Sequence, residues 1–150
     1  MSLFESFDIS ASALTAERLR MDVTAENLAN AETTRTANGG SYRRKEVVLE
    51  QMPTSGGFGA NLAAAMGAGT GSAGASGVQV AGIVEDATPL KTIYDPGNPD
   101  ADKRGYVKMP NVDTVTEMTD LISASRSYEA NVTAMQTGKE MYAKTLDLLK

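Results

Sequence analysis

The sequence contains no histidine, no cysteine and no tryptophan. Without histidine and cysteine, imidazole acid–base catalysis, thiol nucleophiles, disulfides and the metal sites built from those side chains are excluded. Basic residues are also scarce: 14 lysines and arginines face 19 acidic residues, and the net charge of −5 disfavours binding to a phosphate backbone. Most enzyme classes are therefore poor first hypotheses, and we predict no catalytic residue, no metal, no cofactor and no nucleic-acid partner.

Long hydrophobic runs are missing as well. The longest apolar run is far below the ~20 residues that span a bilayer. The first ten residues carry Glu5 and Asp8 but no lysine or arginine, unlike the basic start of a cleavable signal peptide. We therefore expect neither a membrane span nor a cleaved leader.

Charge is absent from the whole of residues 51–77, a stretch in which Gly56–Gly77 holds eight of the 14 glycines. Such a segment buries little apolar surface, and its glycines lose much backbone entropy on ordering. We predict a flexible or partner-ordered loop here, within which a short helix around residues 61–66 would be compatible with the sequence.

Apolar residues recur every three or four positions near both ends of the chain, which is the pattern of a helix with one apolar seam. The first repeat predicts a helix over residues 3–29, about 40 Å long. Its seam positions are Phe4, Phe7, Ala11, Leu14, Arg18, Met21, Ala25 and Leu28. The second repeat predicts a helix from residue 114 to the end of the chain. Its seam positions are Met118, Leu121, Ser125, Tyr128, Val132, Met135, Lys139, Tyr142, Leu146 and Leu149.

Local signals place the ends and the weak point of these helices. Ser2 with Glu5, and Thr114 with Glu117, have the spacing of capping boxes. Gly138 interrupts the second helix at a cost of ~1 kcal/mol. Strand-compatible segments at residues 77–85, 90–94 and 106–109, with a fourth at 42–49, lie between the helices.

Together these signals predict an α+β fold. Long N- and C-terminal helices form an antiparallel or near-parallel coiled-coil pair, with a small central region of short β-strands and loops. The predicted organisation is an N-terminal helix (1–30), an extended loop with the Gly/Ala-rich segment (31–77), a strand region (78–112) and a C-terminal helix (113–150).

The first helix also carries a second apolar stripe, formed by Ala16, Leu19 and Val23, about 180° from the line of Leu14 and Met21. We expect neighbouring copies to cover it; the alternative is that the central strands bury it. Closing the loop between the helices costs about 4 kcal/mol, and a pair this size nets roughly 3 to 5 kcal/mol, so we expect a marginal pair in an isolated subunit.

Asn27-Leu28-Ala29-Asn30-Ala31-Glu32-Thr33 resembles the N-L-A-N-x-x-T signature of flagellar basal-body rod and hook proteins. Further stretches resemble the small proximal-rod proteins of the FlgC type, in the same order and over nearly all of the chain outside the Gly/Ala-rich segment. They include Gly39-Gly40-Ser41-Tyr42-Arg43-Arg44-Lys45, Gly105-Tyr106-Val107, Pro110-Asn111-Val112-Asp113 and Ala124-Ser125-Arg126-Ser127-Tyr128-Glu129-Ala130-Asn131-Val132.

The resemblance implies a structural subunit of the bacterial flagellar rod, the drive shaft that carries motor torque through the periplasm to the hook. It implies export by the flagellar type III apparatus without signal-peptide cleavage, and terminal segments that become helical on assembly. The implied partners are further copies in a helical assembly, other rod proteins, the base-plate adaptor and membrane ring, the distal rod, and the surrounding peptidoglycan and bushing rings.

The predicted subunit-interface residues come from both helices and the loop after the first. They are Phe4, Phe7, Leu14, Leu19, Met21, Val23, Asn27, Leu28, Asn30, Arg43, Arg44, Met118, Leu121, Tyr128, Val132, Met135, Tyr142 and Leu146. Asn27 and Asn30 are either ordinary helix-end residues or buried hydrogen-bonding groups that set the register between subunits. Arg43 and Arg44 lie either in a solvated loop or in salt bridges between subunits.

Three alternatives stay open at this stage. Asp95, Asn98, Asp100 and Asp102 offer oxygen ligands for calcium, although their spacing is not that of an EF-hand and two prolines already explain a turn. A different self-associating coiled-coil protein, such as a secretion-system component or a signalling dimer, would share the helical pattern. A cell-wall hydrolase using carboxylates is the third class.

Overall fold

In the computed structural model of the chain, the structure describes residues 3–37, 39–52 and 77–148. Two long helices flank four short strands, so the α+β class is confirmed. The elements are α1 (Leu3–Ala29), β1 (Lys45–Gln51), β2 (Val78–Glu85), β3 (Lys91–Tyr94), β4 (Tyr106–Met109) and α2 (Thr114–Asp147). Each predicted strand region contains a strand, whereas the predicted short helix at 61–66 and the seam position Leu149 lie outside the described residues.

The two helices pack against each other and run antiparallel. The end of α1 meets the start of α2, where Asn27 Nδ2 donates a hydrogen bond to Glu117 Oε2 over 3.1 Å. The start of α1 meets the later part of α2, where the Phe7 ring lies against Gly138. No helix within the described part of the chain is long and apolar enough to cross a bilayer.

Gly138 is the point of close approach between the two helices. A Cβ atom at this position would lie 3.1 Å from Phe7 Cε1 and 3.2 Å from Phe7 Cζ, closer than ordinary van der Waals contact. The missing side chain therefore makes room for the Phe7 ring, which gives the helix-weakening glycine a packing role.

The two helices differ in length, and at one end of the pair, hereafter the open end, α2 extends past the described start of α1. With 34 residues, α2 is about 51 Å long, whereas the 27 residues of α1 span about 40 Å. The last turns of α2 therefore extend past the start of α1. Residues 139–148 are all exposed.

The capping box predicted at the start of the second helix is wrong. Asp113, not Thr114, caps α2: its Oδ1 accepts a hydrogen bond from Val115 N over 3.1 Å. Glu117 is therefore free of a capping role, and its side chain is buried instead, with 1% exposed. The cap predicted for Ser2 lies outside the described residues.

The strands form two separate antiparallel hairpins. β1 pairs with β2 from Lys45 opposite Glu85 to Gln51 opposite Val78, with a shift in register between Val48 and Leu49. β3 pairs with β4 from Lys91 opposite Met109 to Tyr94 opposite Tyr106. The rings of the last pair meet edge to face at 5.3 Å, as aromatic pairs prefer.

The β1/β2 hairpin covers the second apolar stripe of α1. Ala16 and Val23 are 2% and 5% exposed, and Val23 shares a cavity wall with Val47 and Leu49 of β1. Ser12, on the same side of the helix, accepts a hydrogen bond from Val78 N of β2 over 3.1 Å. The expectation that neighbouring copies cover this stripe is therefore wrong, because strands of the same chain bury it.

The predicted seams coincide with the buried faces only in part. On α2 the seam positions Leu121, Ser125, Tyr128, Val132 and Met135 are half-buried, as predicted. On α1, one row of the seam, Ala11, Arg18 and Ala25, is exposed, while Leu14, Met21 and Leu28 are half-buried. On α2, Met118 is 52% exposed, whereas Glu117 and Ala124 are buried. Apolar periodicity misplaced the contact only at the start of α2, where a charged residue, Glu117, occupies the inward position and Met118 faces solvent.

Candidate assembly site

Asn27 is the centre of a buried polar cluster where α1, α2 and β1 meet. Its side chain is 1% exposed. The amide nitrogen Nδ2 donates to the Lys45 carbonyl over 2.8 Å and to Glu117 Oε2 over 3.1 Å. The amide oxygen Oδ1 accepts from Tyr42 Oη and from Lys45 N, both over 2.9 Å. A side-chain amide offers two donors and two lone pairs, so its hydrogen-bonding capacity is used entirely within this chain.

Arg44 supplies the positive charge for the same cluster. Its Nε donates to Glu117 Oε1 over 2.5 Å, and its other nitrogens lie 3.5 Å from Asp120 Oδ2 and 3.8 Å from Glu46 Oε2. Its backbone N–H donates to Asn111 Oδ1 over 2.8 Å. The cluster of Asn27, Tyr42, Arg44 and Glu117, hereafter the polar hub, therefore joins the loop after α1 to the first turns of α2.

Titration behaviour in the polar hub follows from its burial and charges. The hydrogen bond to Glu117, together with the nearby carboxylates, raises the pKa of Arg44 even though burial opposes this. Burial raises the pKa of Tyr42 to about 12, with Glu26, Glu117 and Glu85 adding to the effect. Arg44 thus stays charged and Tyr42 stays protonated at neutral pH, as their hydrogen bonds require.

Arg43 and Asn111 both donate hydrogen bonds to the segment that follows β2. Arg43 Nη1 donates to the Asp86 carbonyl over 3.1 Å. Asn111 Nδ2 donates to the carbonyls of Asp86 and Thr88 over 3.4 Å and 3.3 Å. Both arginines of the predicted salt-bridge pair therefore find partners inside their own chain.

The other predicted interface residues fall into two groups. Half-buried positions are Phe7, Leu14, Leu19, Met21, Leu28, Asn30, Leu121, Tyr128, Val132 and Met135. Exposed positions are Met118, Tyr142 and Leu146. Val23 is buried under the β1/β2 hairpin, and the side chain of Phe4 lies outside what the structure describes. Asn30 Nδ2 donates to the Glu26 carbonyl over 2.9 Å, a local helix-end role.

Two sets of exposed large apolar side chains lie on α2. Val115, Met118 and Ile122, 71%, 52% and 54% exposed, form a row on the side of α2 roughly opposite the buried Ala124. We call this row the outer face. Tyr142 and Leu146, 42% and 47% exposed, lie on the α1-facing side of α2 near its C-terminal end. Single exposed apolar side chains are common on protein surfaces, whereas a contiguous row of them is typical of an interaction surface.

Sequence reasoning missed the role of Glu117 and the outer-face residues Val115 and Ile122. Glu117 was interpreted as a capping residue, and nothing local distinguishes a capping carboxylate from one that pairs across 73 residues of sequence with Arg44. Val115, Met118 and Ile122 do follow a spacing of three and four, so a second apolar stripe on α2 was detectable.

The aspartate-rich turn at 95–102 uses its oxygens locally. Asp95 Oδ1 accepts from Gly97 N over 3.2 Å, and Asn98 Oδ1 accepts from Asp100 N over 3.0 Å. Asp100 Oδ2 accepts from Thr34 Oγ1 over 2.8 Å. Across residues 3–37, 39–52 and 77–148, no three acidic side chains come together in an arrangement that could hold a metal ion.

Two family profiles match the ends of the chain, where the helices are. Residues 7–35, which cover most of α1 and the start of the following loop, match the family described as "Flagella basal body rod protein". Residues 103–148, which cover β4 and α2, match "Flagellar basal body rod FlgEFG protein C-terminal". The two matched regions contain Asn27 and Glu117, the hub residues that join the helices.

Several relatives match along the full chain. The flagellar basal-body rod protein FlgC of Bacillus subtilis is 50% identical over 154 residues, covering 100% of both chains. The protein of the same name from Escherichia coli O6:H1 is 49% identical over 148 residues, covering 99% of this chain and 98% of its own. That of Borreliella burgdorferi is 43% identical over 155 residues, covering 100% and 99%.

Proposed function

The chain belongs to the FlgC family of flagellar basal-body rod proteins, and we propose that it builds the proximal part of the rod through contacts of its terminal helices with neighbouring subunits. Membership makes it a structural subunit of the basal-body rod and not an enzyme. The hydrolase and the unrelated coiled-coil protein considered from sequence are therefore set aside.

The exposed apolar residues of α2 carry this proposal. The outer face and the pair Tyr142 and Leu146 present large side chains to solvent on a helix whose inner side is already packed on α1. Burying one such side chain stabilises an association by roughly 1.5 to 3 kcal/mol. Neighbouring subunits that cover these surfaces would gain that stabilisation on assembly.

The open end of the helix pair supports a coiled-coil arrangement in the assembly. Leu146 keeps the seam spacing of α2 beyond the residues that lie opposite the described start of α1. We propose that a helix of another subunit takes the place of α1 here, extending the helix pair into a continuous coiled coil from subunit to subunit. Leu14, Met21 and Leu28 of α1, which are predicted interface residues, are half-buried in the subunit. The part of each side chain that remains exposed would contribute to the same contacts.

The proposed setting is the periplasmic rod, reached through the flagellar export apparatus without signal-peptide cleavage. Within it, the chain would transmit torque between the membrane ring and the more distal rod. The proposed neighbours are further copies, other rod proteins, the base-plate adaptor and the distal rod. Family membership supports these assignments, because rod proteins assemble with one another.

A charge placed on the outer face tests the proposal. In a strain lacking the endogenous gene, Ile122→Asp is expected to abolish swimming, because the carboxylate cannot be buried under a neighbour. Ser123→Asp adds the same charge at the next, exposed position, about 100° away around the helix, and is expected to retain swimming. Circular dichroism of both purified variants checks that the subunit still folds.

The two variants also separate failure of assembly from failure of folding. The expected result is Ile122→Asp protein with unchanged helicity that is missing from isolated basal bodies. Normal swimming and normal incorporation of Ile122→Asp would contradict the proposal that the outer face is covered in the rod.

A further inference from the structure

A cleft of about 870 Å³ lies between the loop after α1, the β3/β4 hairpin and the turn at 98–104. Its floor is one side of the β3/β4 hairpin, with Thr92, Tyr106 and Lys108, and its walls bring in charged side chains. Those charged residues are Arg35, Arg43, Arg104, Lys108, Asp100 and Asp102. Four cations against two carboxylates give an excess of two positive charges in a chain whose net charge is −5.

The carboxylates of this cleft are already engaged, whereas two of its cations are not. Asp100 accepts from Thr34 Oγ1 over 2.8 Å and lies 3.8 Å from Arg35 Nη1. Asp102 Oδ1 accepts from Lys103 N over 2.7 Å. Among the residues that the structure describes, the side chains of Arg104 and Lys108 have no hydrogen-bond or ion-pair partner, and both are exposed. The cleft therefore presents unpaired positive charge beside the Tyr106 ring.

The outer side of the β1/β2 hairpin carries the opposite charge. Along β1, alternate residues Glu46, Val48 and Glu50 are exposed, while the residues between them are half-buried on the side of α1. Val84, the partner of Glu46 in the sheet, is 52% exposed on the same side. This acidic–apolar face is made of different residues from the cleft, so both surfaces are available on one subunit.

We propose that the basic cleft of one subunit receives the acidic–apolar face of the β1/β2 hairpin of a second copy of this chain. Glu46 and Glu50 would pair with Lys108 and Arg104, while Val48 and Val84 would pack on Tyr106. Complementary charge supports the pairing: the two cations without a described partner meet Glu50 and Glu46, and the Glu46 carboxylate is exposed although it lies 3.8 Å from Arg44 Nη1. The carboxylates of the hairpin would neutralise the cations of the cleft, and the Tyr106 ring would cover the exposed valines of the hairpin.

This contact is heterologous, because the two faces of one subunit are different. A heterologous contact repeats from copy to copy and generates rings or open helical assemblies, not closed dimers. It would therefore add a strand-to-cleft contact beside the helix contacts of the rod. The proposal rests on the chain being a rod subunit that assembles with its own copies.

Disulfide trapping tests this contact cleanly, because the natural chain has no cysteine. Two differently tagged chains, Glu50→Cys and Lys108→Cys, are produced together in a strain lacking the endogenous gene. Basal bodies are isolated and oxidised, and a disulfide-linked product carrying both tags is expected. Each chain produced alone is expected to give no dimer, because a heterologous contact never brings two identical positions together.

Other products would overturn the proposal. Absence of the doubly tagged product from basal bodies that contain both chains would exclude contact between cleft and hairpin. Dimers formed by either single chain would show an isologous contact instead. The cleft would belong to a different partner if Lys108→Cys formed a disulfide with a cysteine introduced on another rod protein and the doubly tagged product were absent.

Charge exchange provides a second, independent measurement. Reversal of the cleft with Arg104→Glu and Lys108→Glu is expected to lower the amount of subunit in isolated basal bodies about tenfold. Adding Glu46→Lys and Glu50→Lys to the same chain is expected to restore it. No loss on reversal, or no recovery in the exchanged chain, would contradict the proposal.

The two proposals fail in different ways. Loss of swimming by Ile122→Asp with no trapped product would support the helix contacts and exclude the cleft contact. A trapped product together with normal swimming of Ile122→Asp would support the cleft contact and exclude the helix contacts of the outer face.

Discussion

The two ends of the antiparallel helix pair differ in burial: one end holds buried, hydrogen-bonded polar groups, and the other end carries exposed apolar side chains. At the end where α1 stops and α2 begins, Asn27 and Glu117 are each 1% exposed and every hydrogen-bonding group of the Asn27 amide has a partner. At the other end, residues 139–148 are all exposed, and the Phe7 ring lies against Gly138. One end is completed within the subunit, and the other presents apolar side chains to solvent.

Buried polar groups specify the fold of the subunit at one end of the helix pair, whereas exposed apolar groups at the other end suit contacts with neighbours. A buried charge without a partner is costly, so the polar hub specifies one arrangement of helix, loop and strand within each subunit. Apolar contact is non-directional and proportional to area. The open end is therefore suited to contacts that form only when a neighbour arrives, while the hub keeps the two helices in register beforehand.

The largest effect is expected at the hub. Glu117→Ala should lower the free energy of unfolding by about 3 kcal/mol, because the Arg44 guanidinium and Asn27 Nδ2 both lose their carboxylate partner. Urea unfolding of the purified chain measures this loss. Glu129→Ala, an exposed carboxylate on the same helix, should change it by no more than about 0.5 kcal/mol. Equal effects of the two variants would contradict the importance given to the hub.

A smaller effect is expected for Tyr42→Phe. Removing the hydroxyl leaves Asn27 Oδ1 with one hydrogen bond fewer and should cost about 1 to 2 kcal/mol at neutral pH. Because the pKa of Tyr42 is raised to about 12, its contribution is complete below pH 10 and is lost as the pH rises toward 12.

The pH dependence makes the Tyr42 prediction specific. The difference in unfolding free energy between the natural chain and Tyr42→Phe should shrink above pH 10, since only the natural chain must ionise this hydroxyl. Urea unfolding between pH 8 and pH 11.5 measures the difference. A constant gap across that range would show that Tyr42 ionises without loss of its hub contact.

At the open end we expect coupling between Phe7 and Gly138. Gly138→Ala should leave stability nearly unchanged in the natural chain, because the gain of about 1 kcal/mol in helix propensity is offset by crowding of the Phe7 ring. In a Phe7→Ala background the same substitution should stabilise by the full amount. A double-mutant cycle measures the coupling, and identical effects in both backgrounds would show that the ring simply moves aside.

The smallest effect on stability is expected at Leu146, which is 47% exposed. Leu146→Gln should change the free energy of unfolding of the isolated subunit by no more than about 0.5 kcal/mol. It should nonetheless reduce swimming, because a neighbouring helix is proposed to cover this side chain. A stability loss comparable with that of Glu117→Ala would mean that the open end is already packed in the free subunit.

Much of the fold could be predicted from the sequence because its signals are local. The seam spacing predicted α1 at residues 3–29, and α1 spans Leu3–Ala29. β-compatible segments and turn residues predicted each of the four strands. The N-L-A-N stretch led to the family, which the full-length relatives confirm. Each of these predictions depends on residues that lie close together in the sequence.

The buried faces of the helices could be predicted only in part. Apolar spacing places Met118 inward and treats Glu117 as a cap, yet Glu117 is buried against Arg44, which lies 73 residues earlier. The stripe of Ala16 and Val23 looked like a surface for neighbouring copies, and the β1/β2 hairpin covers it. Hydrophobic periodicity reports that a helix has a buried side, but not what buries it.

The sequence by itself determined the lengths and order of the helices and strands, the absence of thiol and imidazole chemistry, and the family, because propensity, capping and motif spacing act over a few residues. Only the tertiary structure decided the antiparallel direction of the helices, which charges are buried and which apolar faces remain uncovered. The physical reason is that burying Glu117 requires Arg44 and Asn27 to converge from distant parts of the chain. That requirement fixes which side of α2 faces α1 at the start of the helix.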